Sequence, residues 1–111
     1  MRPKDKGTAW ETAICAYLRE TFPQVERRTL GGSQDKGDIA GIPEVVIEAK
    51  NTVRLDLAGA IAEVEAEVRN ARATVGVAWI KRKGKTSPGA GYVVMTGEMF
   101  VALLKSSTLG R

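Results

Sequence analysis

Histidine is missing from this chain altogether. That excludes Ser-His-Asp and Cys-His nucleophilic catalysis within it, and any histidine metal site. Cysteine occurs once, at Cys15, so neither an internal disulfide nor a zinc cluster can form. On the apolar stripe of its helix Cys15 reads as a small buried hydrophobe. No apolar run approaches the roughly 20 residues of a membrane span. The opening Met1-Arg2-Pro3-Lys4-Asp5-Lys6 is charged and lacks a signal-peptide pattern. The expectation is a soluble, cytoplasmic protein whose only means of hydrolysis are carboxylates, lysine and metal. Its 111 residues suit one domain with a single core, spanning 1–111, with 1–6 a basic arm and 106–111 frayed.

What is present reads as an α/β fold: one small domain with a central mixed sheet flanked by helices. Thr8 as N-cap would open a helix over 8–21, with Ile14, Cys15, Leu18 and Phe22 on one stripe. A first strand is expected over 25–30, followed by a loop over 31–36 and a hairpin turning at Pro43 into a strand over 44–50. The clearest helix spans 55–73, with Leu57, Ile61, Val64, Val68 and Ala71 as its stripe and Glu63, Glu65, Glu67 and Arg69 on its flanks and far side. Strands are expected over 74–80 and 91–96 and a short helix over 97–104. Trp10 and Trp79, each set in an apolar pattern, belong to the core or an interface rather than to base stacking.

The strand over 44–50 carries the chemistry. Its side chains alternate, so Val45, Ile47 and Ala49 take one face while Val46, Glu48 and Lys50 take the other. Charged groups are rarely buried without partners. In the expected hairpin Asp38 lies opposite Glu48, with Cβ atoms roughly 5 Å apart. Two such carboxylates repel unless a cation lies between them, and with Lys50 alongside they suit a hard divalent ion. The plainer alternative is that Asp38 opens a turn and Glu48 simply pairs with Lys50. Glu11 is also open to two readings. It projects onto the buried stripe of its helix, where it could be a third carboxylate, yet Thr8-Ala9-Trp10-Glu11 also fits a capping box.

Asp38 followed by Glu48-Ala49-Lys50 resembles the PD-(D/E)XK nuclease signature, with Gly37 where that pattern often has proline. Upstream, Lys6-Gly7, Glu11, a strand bearing Arg27 and Arg28, Gly32-Ser33 and Gly37-Asp38-Ile39 follow the order seen in archaeal-type Holliday junction resolvases. The similarity covers residues 6–52, with a slightly long interval between Ser33 and Asp38. It implies a restriction-endonuclease-like core and a Mg²⁺-dependent endonuclease for branched DNA, with Mn²⁺ able to substitute. Such a protein would be encoded by a prokaryote or a phage. Asp38, Glu48 and the Ala49 carbonyl would hold the metal, with Glu11 as an additional or water-mediated ligand. Lys50 would orient or deprotonate the attacking water. Two opposed cuts at a four-way junction imply a homodimer, for which Met95, Met99, Phe100 or Trp79 could form the interface. A nicking, restriction-like or repair nuclease would use the same four catalytic residues, Glu11, Asp38, Glu48 and Lys50; a non-catalytic DNA-binding protein would not need them.

Charge supports a polyanionic partner. The chain carries +4 overall, yet the stretch 56–73 has four acids and two arginines. This suggests a basic face toward DNA with the acidic helix turned away. Lys81, Arg82, Lys83 and Lys85 cluster around Gly84 in an expected strand-to-strand loop, which is either a solvated hairpin tip or a set of phosphate contacts. Lys6, Arg27, Arg28 and Ser33 are the other expected DNA contacts.

Overall fold

The computed structural model describes residues 3–28 and 37–110. Its elements run α1 (Pro3–Arg19), β1 (Glu26–Arg27), β2 (Ile39–Ala40), β3 (Val45–Lys50), α2 (Leu57–Ala71), β4 (Val75–Ile80), a 3₁₀ turn (Pro88–Ala90), β5 (Tyr92–Val94) and α3 (Gly97–Ser106). The strands form one sheet in the order β1-β2-β3-β4-β5. Only β3 and β4 are parallel; the other neighbours are antiparallel. That follows from the connections. The short turn between β2 and β3 permits a hairpin, whereas a parallel pair needs a crossover, which α2 supplies. The expected α/β class and mixed sheet are present.

Alternation along β3 and β4 sorts the side chains into two cores. On one face Ile47, Val75, Val77 and Trp79 pack with Trp10, Ile14 and Cys15 of α1. On the other, Ala78 and Ile80 meet Ala60, Ile61, Val64 and Val68 of α2. Met99 of α3 touches both clusters. The tryptophans are core residues, as expected, and share polar handles: Trp10 Nε1 donates to the Trp79 carbonyl at 3.0 Å and Trp79 Nε1 to the Pro88 carbonyl at 3.0 Å. Burial of Cys15 pushes its thiol pKa up, which leaves it a neutral, unreactive core group.

Several boundaries differ from expectation. The first helix begins at Pro3, not after Thr8, because proline is well accommodated in a first turn. Lys6 is thus helical rather than part of an arm. Glu11 lies a full two turns inside the helix, so the capping box does not exist. The helix ends at Arg19, whose Nε donates to the Val25 carbonyl at 2.6 Å, and Phe22 stays half-exposed. Leu57 is also half-exposed, since α2 starts there after the Asp56 cap, whose carboxylate accepts the Gly59 N–H. Beyond α3, residues 107–110 make a capping turn in which the Ser107 N–H reaches the Leu104 carbonyl. Of the expected interface residues, Trp79 is buried and Met95 and Met99 pack against the core, whereas Phe100 is half-exposed. No helix among the described residues is long and apolar enough to cross a membrane.

Two glycines set the positions that matter for the site. Gly37 has φ +93°, which proline's fixed φ cannot reach, so glycine here precedes Asp38 for a backbone reason. Gly76 on β4 lies directly under α2. A Cβ there would stand 2.5 Å from Val68 Cγ2 and 2.6 Å from Val64 Cγ1. Gly76→Ala is therefore expected to destabilise the protein by about 1–3 kcal/mol through overpacking. Gly7, inside α1 with no atom near a built Cβ, gives the converse: Gly7→Ala should stabilise by about 0.5–1 kcal/mol. Urea denaturation of both variants checks the pair. Equal, small effects of the same sign would contradict the close approach of α2.

Candidate active site

The sheet brings the sequence motif together as a row. Arg27 pairs with Ile39 and Ile39 with Ile47, which brings Asp38, the residue before Ile39, alongside β3. The Arg28 N–H donates to the Asp38 carbonyl at 2.8 Å, which extends the row to β1. The Asp38 N–H donates to the Ile47 carbonyl at 2.9 Å, and its Oδ2 accepts the Ala49 N–H at 2.8 Å. Asp38 thereby locks the peptide that joins Glu48 to Ala49.

Glu48 points to the α2 face and is 7 % exposed. There it meets two glutamates of α2 that were expected on the helix flanks and far side. Carboxylate oxygens of Glu48, Glu63 and Glu67 all lie within 4.8 Å of one another. Glu67 is 1 % exposed, so it belongs to the buried face of α2. The expectation of an acidic helix turned away from the site is overturned, because half its acids face the sheet or the site rim. The signal was in the sequence: Ala60, Val64, Glu67 and Ala71 follow the i, i+4, i+7, i+11 spacing of one helix face. Glu63 precedes Glu67 by four residues on that side.

Lys50 is the cation of the cluster. Its Nζ lies 3.1 and 3.2 Å from the Glu63 oxygens and 3.7 Å from Glu48 Oε1. Burial by itself would lower the lysine pKa. The Glu63 hydrogen bond and the charges of Glu48, Glu63 and Asp38 outweigh that effect, and the pKa lies above the usual lysine value. Lys50 is therefore an ammonium at neutral pH. Asp38 and Glu48 both contribute to the charge that acts on Lys50, while Asp38 is not one of the three carboxylates grouped with Glu48.

Glu11 stands apart from this group. It is on α1, which covers the other face of the sheet, and its carboxylate accepts from Arg27 Nε and pairs with Arg27 Nη2, both at 3.2 Å. This ties α1 to β1. Its carboxylate is not among those that cluster around Glu48. Ser33 lies outside the described residues.

The basic residues fall partly beside the site. Asn51, next after Lys50, donates to the Lys6 carbonyl at 3.5 Å. The Lys81 N–H donates to the Lys50 carbonyl at 3.0 Å. The start of α1 and the start of the 81–85 loop thus both adjoin the end of β3. Lys83 and Lys85 are exposed. Arg82 is engaged internally: its guanidinium sits 4.9 Å from the Tyr92 ring centroid and donates to the Ala90 carbonyl. Arg27 and Arg28 are exposed on β1 and just after it.

Comparison of the chain with models of protein families, with curated proteins and with solved structures finds no match. What the site can do is read from its own residues. Three clustered carboxylates are hard oxygen donors of the kind that hold Mg²⁺ or Mn²⁺, and the donor set fits such an ion. A divalent cation that binds only the folded protein, at a hundred times its dissociation constant, adds about 2.7 kcal/mol of stability. Thermal denaturation with and without Mg²⁺ or Mn²⁺ should show a raised Tm for the wild type. The shift should vanish in a Glu48→Gln/Glu67→Gln double variant. A wild-type Tm indifferent to both ions would rule the cluster out as a cation site.

Proposed function

We propose that this protein is a metal-dependent endonuclease of the PD-(D/E)XK type that hydrolyses phosphodiester bonds in branched DNA, of the Holliday junction resolvase kind. The observation that carries the reading is the convergence of Asp38, Glu48 and Lys50 at the end of a central strand, beside two further carboxylates from α2. Gathering acids around one lysine at a strand end is costly for stability alone, and such clusters mark sites where charge must be handled. The parallel pair β3 and β4, crossed by α2 and flanked by antiparallel strands, is compatible with a restriction-endonuclease-like core.

In this reading Glu48 and Glu67 would hold Mg²⁺, or Mn²⁺ in its place, with Asp38 and the Ala49 carbonyl as further oxygen donors. The chemistry that such an ion supplies is polarisation of the phosphodiester and a lowered pKa for the attacking water. Asp38 fixes the peptide following Glu48. Lys50, held as an ammonium, orients the water and stabilises negative charge that develops on the phosphate oxygens; it is a poor choice for removing the proton. Glu11, paired with Arg27, contributes by anchoring the arginine-bearing strand. Lys6, Lys81, Lys83 and Lys85 offer phosphate contacts around the same strand end, and Arg27 and Arg28 extend them across the sheet. Half-exposed Tyr92, Val93, Phe100 and Val101 on β5 and α3 offer apolar surface for the homodimer that paired cuts require. An enzyme of this kind works on cytoplasmic DNA.

The direct test is a cleavage panel of four-way junction, flap, nicked, linear and single-stranded DNA. Activity should require Mg²⁺ or Mn²⁺, be weak with Ca²⁺ and disappear in EDTA. Asp38→Asn, Glu48→Gln and Lys50→Ala should each reduce cleavage by orders of magnitude while DNA affinity persists or, for the carboxylate variants, improves. Full activity in EDTA, or wild-type rates in Lys50→Ala, would defeat the proposal. Preference for linear duplex over the junction would redirect it to a nicking, restriction-like or repair nuclease.

The basic loop generates its own test. Because Arg82 is braced against Tyr92, the phosphate contacts reduce to Lys81, Lys83 and Lys85. Neutralising these three should make the slope of log affinity against log salt shallower by roughly 3, equally for every DNA shape. An unchanged slope would make the loop a solvated tip.

A further inference from the structure

We propose that Glu63 is a positioning residue: it holds the Lys50 ammonium beside Glu48, in the orientation in which it meets a scissile phosphate. The inference rests on the nuclease reading and adds a residue outside the Asp38…Glu48-Ala49-Lys50 motif.

A lysine side chain is long, flexible and a point donor. Left to itself at a strand end, its ammonium would sample solvent. Glu48, two residues back on the same strand, meets the ammonium at 3.7 Å, too long to fix direction. Glu63 offers both its oxygens, at 3.1 and 3.2 Å, from a different element. The pair spans β3 and α2, two regular elements rather than loops, so both ends are held. The helix end is fixed by the neighbouring Val64, which is fully buried, and by Gly76, whose missing side chain lets Val64 and Val68 seat on β4. The Glu63 side chain is 51 % exposed. A half-exposed ion pair adds little stability, so its effect is on where Lys50 points.

Cleavage of a four-way junction at saturating DNA and Mg²⁺ is compared among wild type, Glu63→Gln, Glu63→Asp, Lys50→Ala and the Lys50→Ala/Glu63→Gln double variant. Misplacing a reacting group by about 1 Å can cost on the order of 100-fold. Glu63→Gln should therefore lower kcat by about 10- to 100-fold with KM unchanged, and Glu63→Asp should recover part of the loss. In the Lys50→Ala background, Glu63→Gln should cost nothing further, because it acts through Lys50. An unchanged kcat in Glu63→Gln, or a further loss in the double variant, overturns the proposal. So does a kcat restored by raising Mg²⁺, which would make Glu63 a metal ligand instead. A second readout needs no cleavage: acylation of lysines by an N-hydroxysuccinimide ester, mapped by peptide mass spectrometry without metal or DNA. Lys50 should be modified several-fold faster in Glu63→Gln than in wild type, with Lys83 as an unaffected reference. Equal Lys50 rates sink the anchor by itself. A wild-type protein that cuts none of the DNAs sinks the nuclease reading and the catalytic role of Glu63 with it, whatever the acylation rates.

Discussion

The seating of α2 on β4 over Gly76 is the contact on which the rest of the molecule depends. A parallel pair of strands can form only if the connection between them folds back onto the sheet. Here that connection comes so close that a single methyl group would intrude between Val64 and Val68. The same approach delivers Glu63 and Glu67 to Glu48. Core and site are therefore built by one contact, and neither can loosen without the other.

Charge balance explains why the arrangement is tolerated. Glu48 and Glu67 are both buried, a costly state for carboxylates, and Lys50 pairs with Glu48 and Glu63. Asp38 uses one of its oxygens on a backbone amide, which consumes some of its capacity without needing another cation. The cluster of Glu48, Glu63 and Glu67 lies on the α2 face. On the α1 face the core cluster is apolar, with the tryptophan handles inside it and the Glu11–Arg27 pair joining α1 to β1. Such segregation leaves one side of the sheet to support and the other to interact with charge.

Much of this was legible in the residues because it depends on short periods. Alternation over 44–50 put Glu48 and Lys50 on one face, and the hairpin at Pro43 brought the segment ending in Ile39 and Ala40 alongside that strand. Other features escaped for identifiable reasons. Thr8-Ala9-Trp10-Glu11 satisfies a capping pattern, but Pro3 offers an earlier start and local motifs cannot say which wins. Glu67 was assigned to the far side because an acid is seldom buried; its i+3 relation to Val64 was the better guide. The ion pairs of Glu63 with Lys50 and of Glu11 with Arg27 join elements distant in sequence, and no local pattern encodes them. Arg82 looked like its basic neighbours because its stacking partner, Tyr92, lies on the following strand.

The two indoles are the chain's only tryptophans, and they sit together on the α1 side of the sheet, linked through one hydrogen bond. Intrinsic fluorescence is thus a reporter of one layer. Emission will follow the docking of α1 and register its loss on unfolding, while the acidic side carries no tryptophan. An indole introduced on the outward surface of α2 would give that layer its own colour channel, and the two signals would distinguish a melting of the whole domain from a change confined to the charged face.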